Sequence, residues 1–149
     1  GSVIPFFLSL DDKTPIPITD ERMTRFMISL DSAVDLVAHA VEDTVGGEIY
    51  VKKIPSMKII DIAKVIAPDA KKKIIGIRAG EKLHEEMISA DDSRRTIILK
   101  NRFVVTPVVA EWGYSAPAGQ TMPEGQAYRS DSNDMWMSAS DIKKFIDQL

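Results

Sequence analysis

There is no cysteine among the 149 residues, so neither disulfides nor thiolate metal sites are open to the chain. Long apolar runs are missing as well: none approaches the roughly 20 residues of a membrane-crossing helix, and no signal-peptide pattern stands at the start. A cytoplasmic protein without a membrane partner is the expectation. A long basic tract is absent and the net charge is −3, which argues against nucleic acid as a partner. The short run Lys71-Lys72-Lys73 reads as a solvated turn before a strand. Neither an internal repeat nor a low-complexity tract is visible.

What is present suits a folded globular piece. Hydrophobic residues make up 44% of the chain, and its length fits a single domain over residues 1–149 with a core of its own. Residues 3–10 are too apolar all round for a helix with a free surface, so they need cover on several sides. Pro15 and Pro17 hold residues 14–18 extended. Residues 23–28 read as a strand with Thr24 and Phe26 on one face and Arg25 on the other. Asp31 or Ser32 caps a core-facing amphipathic helix that ends before Gly46-Gly47.

A β-branched strand over 48–54 is closed by Pro55, Ser56 caps a helix over 57–67 stopped by Pro68, and a strand follows over 74–78. These three elements predict one right-handed βαβ unit, with residues 53–57 at the strand edge where α/β sheets hold ligands. Next come a helix over 83–89, a β-hairpin turning at residues 100–102, and a long loop over 110–127. A C-terminal helix over 138–149 closes the chain, with Ser138 and Asp141 as its capping pair.

The chain is organised around Gly76-Ile77-Arg78-Ala79-Gly80-Glu81-Lys82-Leu83-His84-Glu85-Glu86. An apolar run ends in Arg78, a small flexible pair follows, and a helix opens near Glu81. A strand-to-helix turn of this kind offers an anion one guanidinium and free backbone N–H groups, and a planar guanidinium grips two phosphate oxygens at once. A surface arginine at an ordinary βα turn is the alternative reading. Arg25, alone on an apolar strand, is the second candidate anion ligand, and a solvent-facing arginine fits its pattern equally well. His39 has no partner at metal-ligand spacing and reads as a structural histidine. His84-Glu85-Glu86 lacks the second histidine four residues on that a zinc helix needs, so no metal is expected.

The same stretch resembles the segment Gly-Ile-Arg-Pro-Gly-Glu-Lys-Leu-His-Glu of the UDP-N-acetylglucosamine 4,6-dehydratases. These are extended short-chain dehydrogenase/reductase enzymes of surface-polysaccharide and nonulosonic-acid synthesis. Gly1-Ser2-Val3-Ile4-Pro5-Phe6-Phe7, Met23-Thr24-Arg25-Phe26, Lys53-Ile54-Pro55-Ser56-Met57-Lys58 and Tyr128-Arg129-Ser130-Asp131-Ser132-Asn133-Asp134-Met135-Trp136 extend the likeness from end to end. It corresponds to the C-terminal half of such an enzyme. His84 and the Ser130-Asp131-x-Asn133-x-x-Trp136 ending look like the soluble, C5-inverting group. Ala79 stands where the family usually has proline, which loosens the turn that aims Arg78.

The resemblance implies an α/β fold, the substrate-binding portion of an NAD(P)-binding Rossmann-like enzyme whose Gly-rich half is absent here. UDP-N-acetylglucosamine or a related UDP-hexose is the implied ligand, and an N-terminal Rossmann half is the implied partner. The apolar surface of residues 3–10 separately leads to the expectation that copies of the chain associate through that segment. Arg25 and Arg78 are expected at the diphosphate. Ser2, Val3, Thr24, Lys53, Pro55, Met57 and Glu81, drawn from the matching segments, complete the expected substrate-binding set. NADP or NAD belongs to the complete enzyme, which oxidises C4 of the hexose, eliminates water across C5 and C6 and returns the hydride to C6.

No catalytic residue is expected in this chain. The family's Tyr-x-x-x-Lys pair fails because Tyr50, Tyr114 and Tyr128 are followed four residues on by Ile54, Ala118 and Ser132. A dinucleotide turn needs glycines that open a helix, whereas Gly46-Gly47 follows one. Residues 110–127 are expected to latch over the sugar or onto a neighbouring subunit, with Trp112, Tyr114 and Met122 as exposed anchors. The alternatives are a stand-alone nucleotide-sugar-binding module, a UDP-sugar 4-epimerase fragment, and a purely structural fragment.

Overall fold

A computed structural model describes residues 3–11, 14–110 and 112–148. In chain order the elements are α1 (Val3–Leu8), β1 (Ile16–Ile18), β2 (Thr24–Phe26), α2 (Leu30–Asp43), β3 (Ile49–Lys52), β4 (Ser56–Lys58) and α3 (Ile59–Ile66). They continue with β5 (Lys72–Ile74), β6 (Glu86–Ile88), a 3-10 turn (Asp91–Arg95), β7 (Thr96–Ile98), β8 (Arg102–Val105), β9 (Gln120–Thr121), β10 (Tyr128–Arg129) and α4 (Ala139–Ile146). The chain divides into two compact units: Gly1–Met27 with Pro55–Glu85 and Ser130–Leu149, and Ile28–Ile54 with Glu86–Arg129. Parallel and antiparallel pairing coexist, so the class is mixed α/β.

In the first unit, α3 is the hub, because Ile59, Ile62 and Ala63 at helical spacing all turn inward. Around it gather Ile4 and Phe7 of α1, Ile16 and Ile18 of β1, and Ile142 of α4. β1 pairs in parallel with β5, Ile16 opposite Lys72 and Ile18 opposite Ile74; a two-stranded ladder leaves room for Pro17, which cannot donate. β2 pairs antiparallel with β4, setting Arg25 opposite Met57. α4 begins on a complete capping box, the Asp141 N–H donating to Ser138 Oγ at 3.2 Å and the Ser138 N–H to Asp141 Oδ2 at 3.0 Å.

Two expectations change in this unit. Ser56 does not cap the helix after it, because its polar groups are taken elsewhere: its N–H donates to the Met135 carbonyl at 2.8 Å and its Oγ accepts from Asn133 Nδ2 at 3.0 Å. It is a fully buried β4 residue, and α3 opens from Lys58 with no side-chain cap. α1 also ends earlier than residue 10, since the Ser9 N–H and hydroxyl close on the Pro5 and Phe6 carbonyls. Ile4 and Phe7 are buried while Phe6 and Leu8 stay exposed, so one side of α1 is covered within this unit.

The second unit is built on a four-stranded antiparallel sheet in the order β3, β8, β7, β9. The hairpin of β7 and β8 is the one read from the sequence. Tyr128 locks the sheet's end, its hydroxyl accepting the Ile54 N–H at 2.9 Å and donating to the Ile54 carbonyl at 3.0 Å, with its ring 4.8 Å from that of Phe103. The predicted βαβ unit is not formed. β3 pairs with β8 and β5 with β1, so the two strands meant to flank α3 lie in different sheets.

α2 starts two or three residues earlier than read, capped by Ser29, whose Oγ accepts the Ser32 N–H at 3.2 Å. It is not core-facing among the described residues: Leu30, Val34, Val37 and Val41 share one exposed face. Residues 110–127 are not without structure either, since β9 pairs with β7 and Met122 is buried.

Ile62 is fully buried at the hub of the first unit. Ile62→Ala should therefore cost about 2 to 5 kcal/mol of stability, read from the denaturant midpoint. A loss within the range of surface substitutions, about 0.5 kcal/mol, would mean α3 is not the hub.

Candidate functional site

The central motif is a turn, and its chemistry is local. The Glu81 N–H donates to the Arg78 carbonyl at 3.0 Å and Gly80 has φ of 81°, the signature of a type II turn with glycine in its third position. Ala79 occupies the second position, where proline is favoured for its fixed φ. The Glu81 carboxylate returns to the start of the turn and accepts the Arg78 N–H at 3.2 Å.

The helix expected over 83–89 does not form. Its carbonyls are spent on β2: Arg25 Nη1 donates to Leu83 O at 3.2 Å, Nη2 donates to Lys82 O at 2.9 Å, and the Thr24 N–H donates to Leu83 O at 3.2 Å. The Glu85 N–H is spent on Ser130 Oγ at 2.9 Å. The chain then runs extended into β6, which pairs with β10. A helix would need those same carbonyls for its own fourth-neighbour bonds.

Beside the turn lies a cleft of about 550 Å³. Phe6 and Phe7 of α1, Met23, Ile59 and Ile75 give it an apolar lining, and Arg25, Arg78 and Glu81 give it charge. Among the described residues the Arg78 guanidinium has no hydrogen-bond or ion-pair partner. Arg25 is different: besides the two carbonyls above, Nη1 reaches Thr24 O at 2.7 Å and Nε stands 3.4 Å from Glu85 Oε1. One cation is committed to the fold and the other is available.

Of the expected set, Val3, Arg25, Arg78 and Glu81 come together at this cleft. Thr24 is buried beside it and bonds His84 and Ser130. Met57 is core, and the Pro55 carbonyl accepts the Met27 N–H at 2.9 Å. Lys53 belongs to the second unit, where its Nζ donates to the Leu99 carbonyl at 2.7 Å and lies 5.0 Å from the centre of the Phe103 ring. Ser2 lies outside the described residues. Sequence reasoning missed the partnership of Thr24, His84 and Ser130; His84 and Ser130 stood in the motifs as letters, with nothing local to join them. Among the described residues no group of acidic and histidine side chains could hold a metal ion, and no helix is long and apolar enough to cross a membrane.

Gly46 and Gly47 do not open a helix. Gly46 and Gly47, with φ of 126° and 84°, follow α2, and a Cβ on Gly47 would meet Pro107 at 3.1 Å and Trp112 at 3.5 Å. They make a close packing corner, not a phosphate cradle.

The fold is that of a portion of the extended short-chain dehydrogenase/reductase-like proteins. Within that class the chain belongs to the polysaccharide biosynthesis protein family, whose model matches residues 1–107. It is 46% identical over 156 aligned residues to the UDP-N-acetylglucosamine 4,6-dehydratase (inverting) of Campylobacter jejuni, covering 98% of this chain and 47% of that protein. A UDP-glucose 4-epimerase of Rickettsia massiliae is 37% identical over 69% of this chain and 32% of its own length. The crystal structure of Pen from Bacillus thuringiensis matches with a TM-score of 0.79 at 28% identity, over 99% of this chain and 44% of that one. The chain thus spans about half the length of the inverting dehydratase it resembles.

Ala79→Pro tests the turn. No described acceptor is bonded to the Ala79 N–H, so proline loses no bond there and should add about 0.4 to 1 kcal/mol. A lowered unfolding midpoint would contradict the type II assignment.

Proposed function

We propose that the cleft binds the diphosphate of a UDP-hexose, UDP-N-acetylglucosamine first, and that the chain is the substrate-binding half of an inverting 4,6-dehydratase. The observation that carries this reading is the Arg78 guanidinium, without a partner among the described residues, at an apolar cleft and on a turn whose backbone is closed by its own hydrogen bonds. Identity to the Campylobacter enzyme supports the choice of nucleotide sugar.

Arg78 supplies the free positive charge. Arg25 contributes its remaining Nη2 hydrogen and, by gripping Lys82 and Leu83, holds the segment after the turn. Phe6, Phe7 and Ile59 give the cleft an apolar wall, and lowered water access beside a guanidinium strengthens its pair with a phosphate. The residues described here bind and orient. Proton and hydride chemistry belongs to a Rossmann half carrying the NADP or NAD, and copies of the whole associate in a homo-oligomer.

Arg78→Ala should weaken UDP-N-acetylglucosamine binding at least tenfold in calorimetry, since a hydrogen bond to a charged group contributes about 1.5 to 3 kcal/mol. Unchanged affinity would reduce the motif to an ordinary turn. Titrating UDP-glucose in parallel separates the dehydratase reading from that of a 4-epimerase portion, which the Rickettsia relative favours. Tighter UDP-glucose binding would favour the epimerase.

Residues 110–127 are proposed as a latch over the sugar or onto a neighbouring subunit. Gln120, Thr121 and Met122 are held by the pairing of β9 and the Met122 N–H bond to the Thr96 carbonyl, while Trp112 stays exposed. Amides around Trp112 should therefore gain hydrogen-exchange protection when UDP-sugar is added. Equal protection with and without it would remove the latch.

A further inference from the structure

We propose that His84 is a positioning residue for the phosphate-facing turn: acting through Thr24 and Ser130, its neutral imidazole locks residues 82–85 in the path that aims Arg78 at the cleft. The proposal rests on the reading of that cleft as a nucleotide-diphosphate site.

The direction of the hydrogen bonds can be assigned from one end. Ser130 is fully buried, and its Oγ accepts the Glu85 N–H at 2.9 Å. Its own hydrogen then needs an acceptor, and among the described residues Thr24 Oγ1, at 2.7 Å, is the one that meets it. Thr24 is thereby left with its hydrogen for His84 Nδ1, at 2.8 Å. Donation runs from Glu85 through Ser130 and Thr24 and ends on an unprotonated Nδ1. The ring proton sits on Nε2, 3.8 Å from the Asp131 carboxylate. Reversing the order would leave the Ser130 hydrogen buried without an acceptor.

This relay holds the same backbone that Arg25 grips. Lys82 and Leu83 carbonyls go to Arg25, Leu83 O also takes the Thr24 N–H, and the Glu85 N–H goes to Ser130. One peptide upstream stands Glu81, the last residue of the turn that carries Arg78. Removing the acceptor at Nδ1 frees the Thr24 hydroxyl to turn, and Ser130 and the Glu85 anchor follow it. Arg78 touches none of these groups, so any effect of His84 on phosphate affinity passes through the backbone.

The test is calorimetry of UDP binding to the full chain with four variants. His84→Phe keeps a ring without an acceptor, His84→Asn places an amide oxygen near the position of Nδ1, His84→Gln places one near Nε2, and Arg78→Ala is the control. Expected are about tenfold weaker binding in His84→Phe and in His84→Gln, and affinity within about threefold of the parent in His84→Asn, with melting temperatures of the two amides alike. Equal affinities of His84→Asn and His84→Gln overturn the proposal, and they do so even where His84→Phe fails to fold. Arg78→Ala weakened with all foldable His84 variants unchanged sinks this role for His84 alone; Arg78→Ala unchanged sinks the reading of the cleft itself.

Discussion

The backbone of residues 82–85 is bonded to partners far away in sequence, and the candidate site depends on that constraint. Glu81, Lys82, Leu83, Glu85, Glu86 and Met87 are all good helix formers. A helix this short is worth little in water because its first turn is costly to nucleate. Against it stand two carbonyls held by a guanidinium, bonds of the charge-assisted kind that contribute about 1.5 to 3 kcal/mol each. The tertiary bonds win, and the chain leaves the turn extended.

That outcome explains which parts of the fold were legible. The hairpin of β7 and β8 and the Ser138–Asp141 capping box are specified within a few residues, so local pattern was sufficient. Ser56 was misread because its partners, Asn133 and Met135, lie more than seventy residues away, and Asn133 bonds it across a separation of 77. The βαβ reading failed for a related reason: strand, helix, strand is a local sequence, but which strand pairs with which is not. Of the site, the two arginines, Val3 and Glu81 could be read from their motifs. Thr24 and Ser130 meet across a separation of 106 residues, and no spacing rule reaches that far.

α2 shows another limit of periodicity. Leu30, Val34, Val37 and Val41 repeat at three- and four-residue intervals, which fixes that they share a face. It does not fix what lies against that face. In α3 the same kind of repeat faces α1, α4 and β1 and is buried; in α2 it is exposed among the described residues. A hydrophobic repeat therefore reports helix geometry reliably and burial only when the covering element is present.

Arg25 and Arg78 are the same residue type in one cleft, yet their roles are opposite, and Glu81 keeps them so. A carboxylate three residues from an arginine is the natural ion-pair partner, and such a pair would cancel the positive charge that the proposed phosphate site calls on. Here the Glu81 oxygen accepts the Arg78 backbone N–H at 3.2 Å, so the carboxylate closes the turn through the main chain. Glu85 likewise sits 3.4 Å from the Arg25 Nε, on the arginine three of whose hydrogens already go to carbonyls. Both acidic side chains are thus engaged in building the turn and its anchor, and of the two guanidiniums lining the cleft, Arg78's is the one without a partner among the described residues.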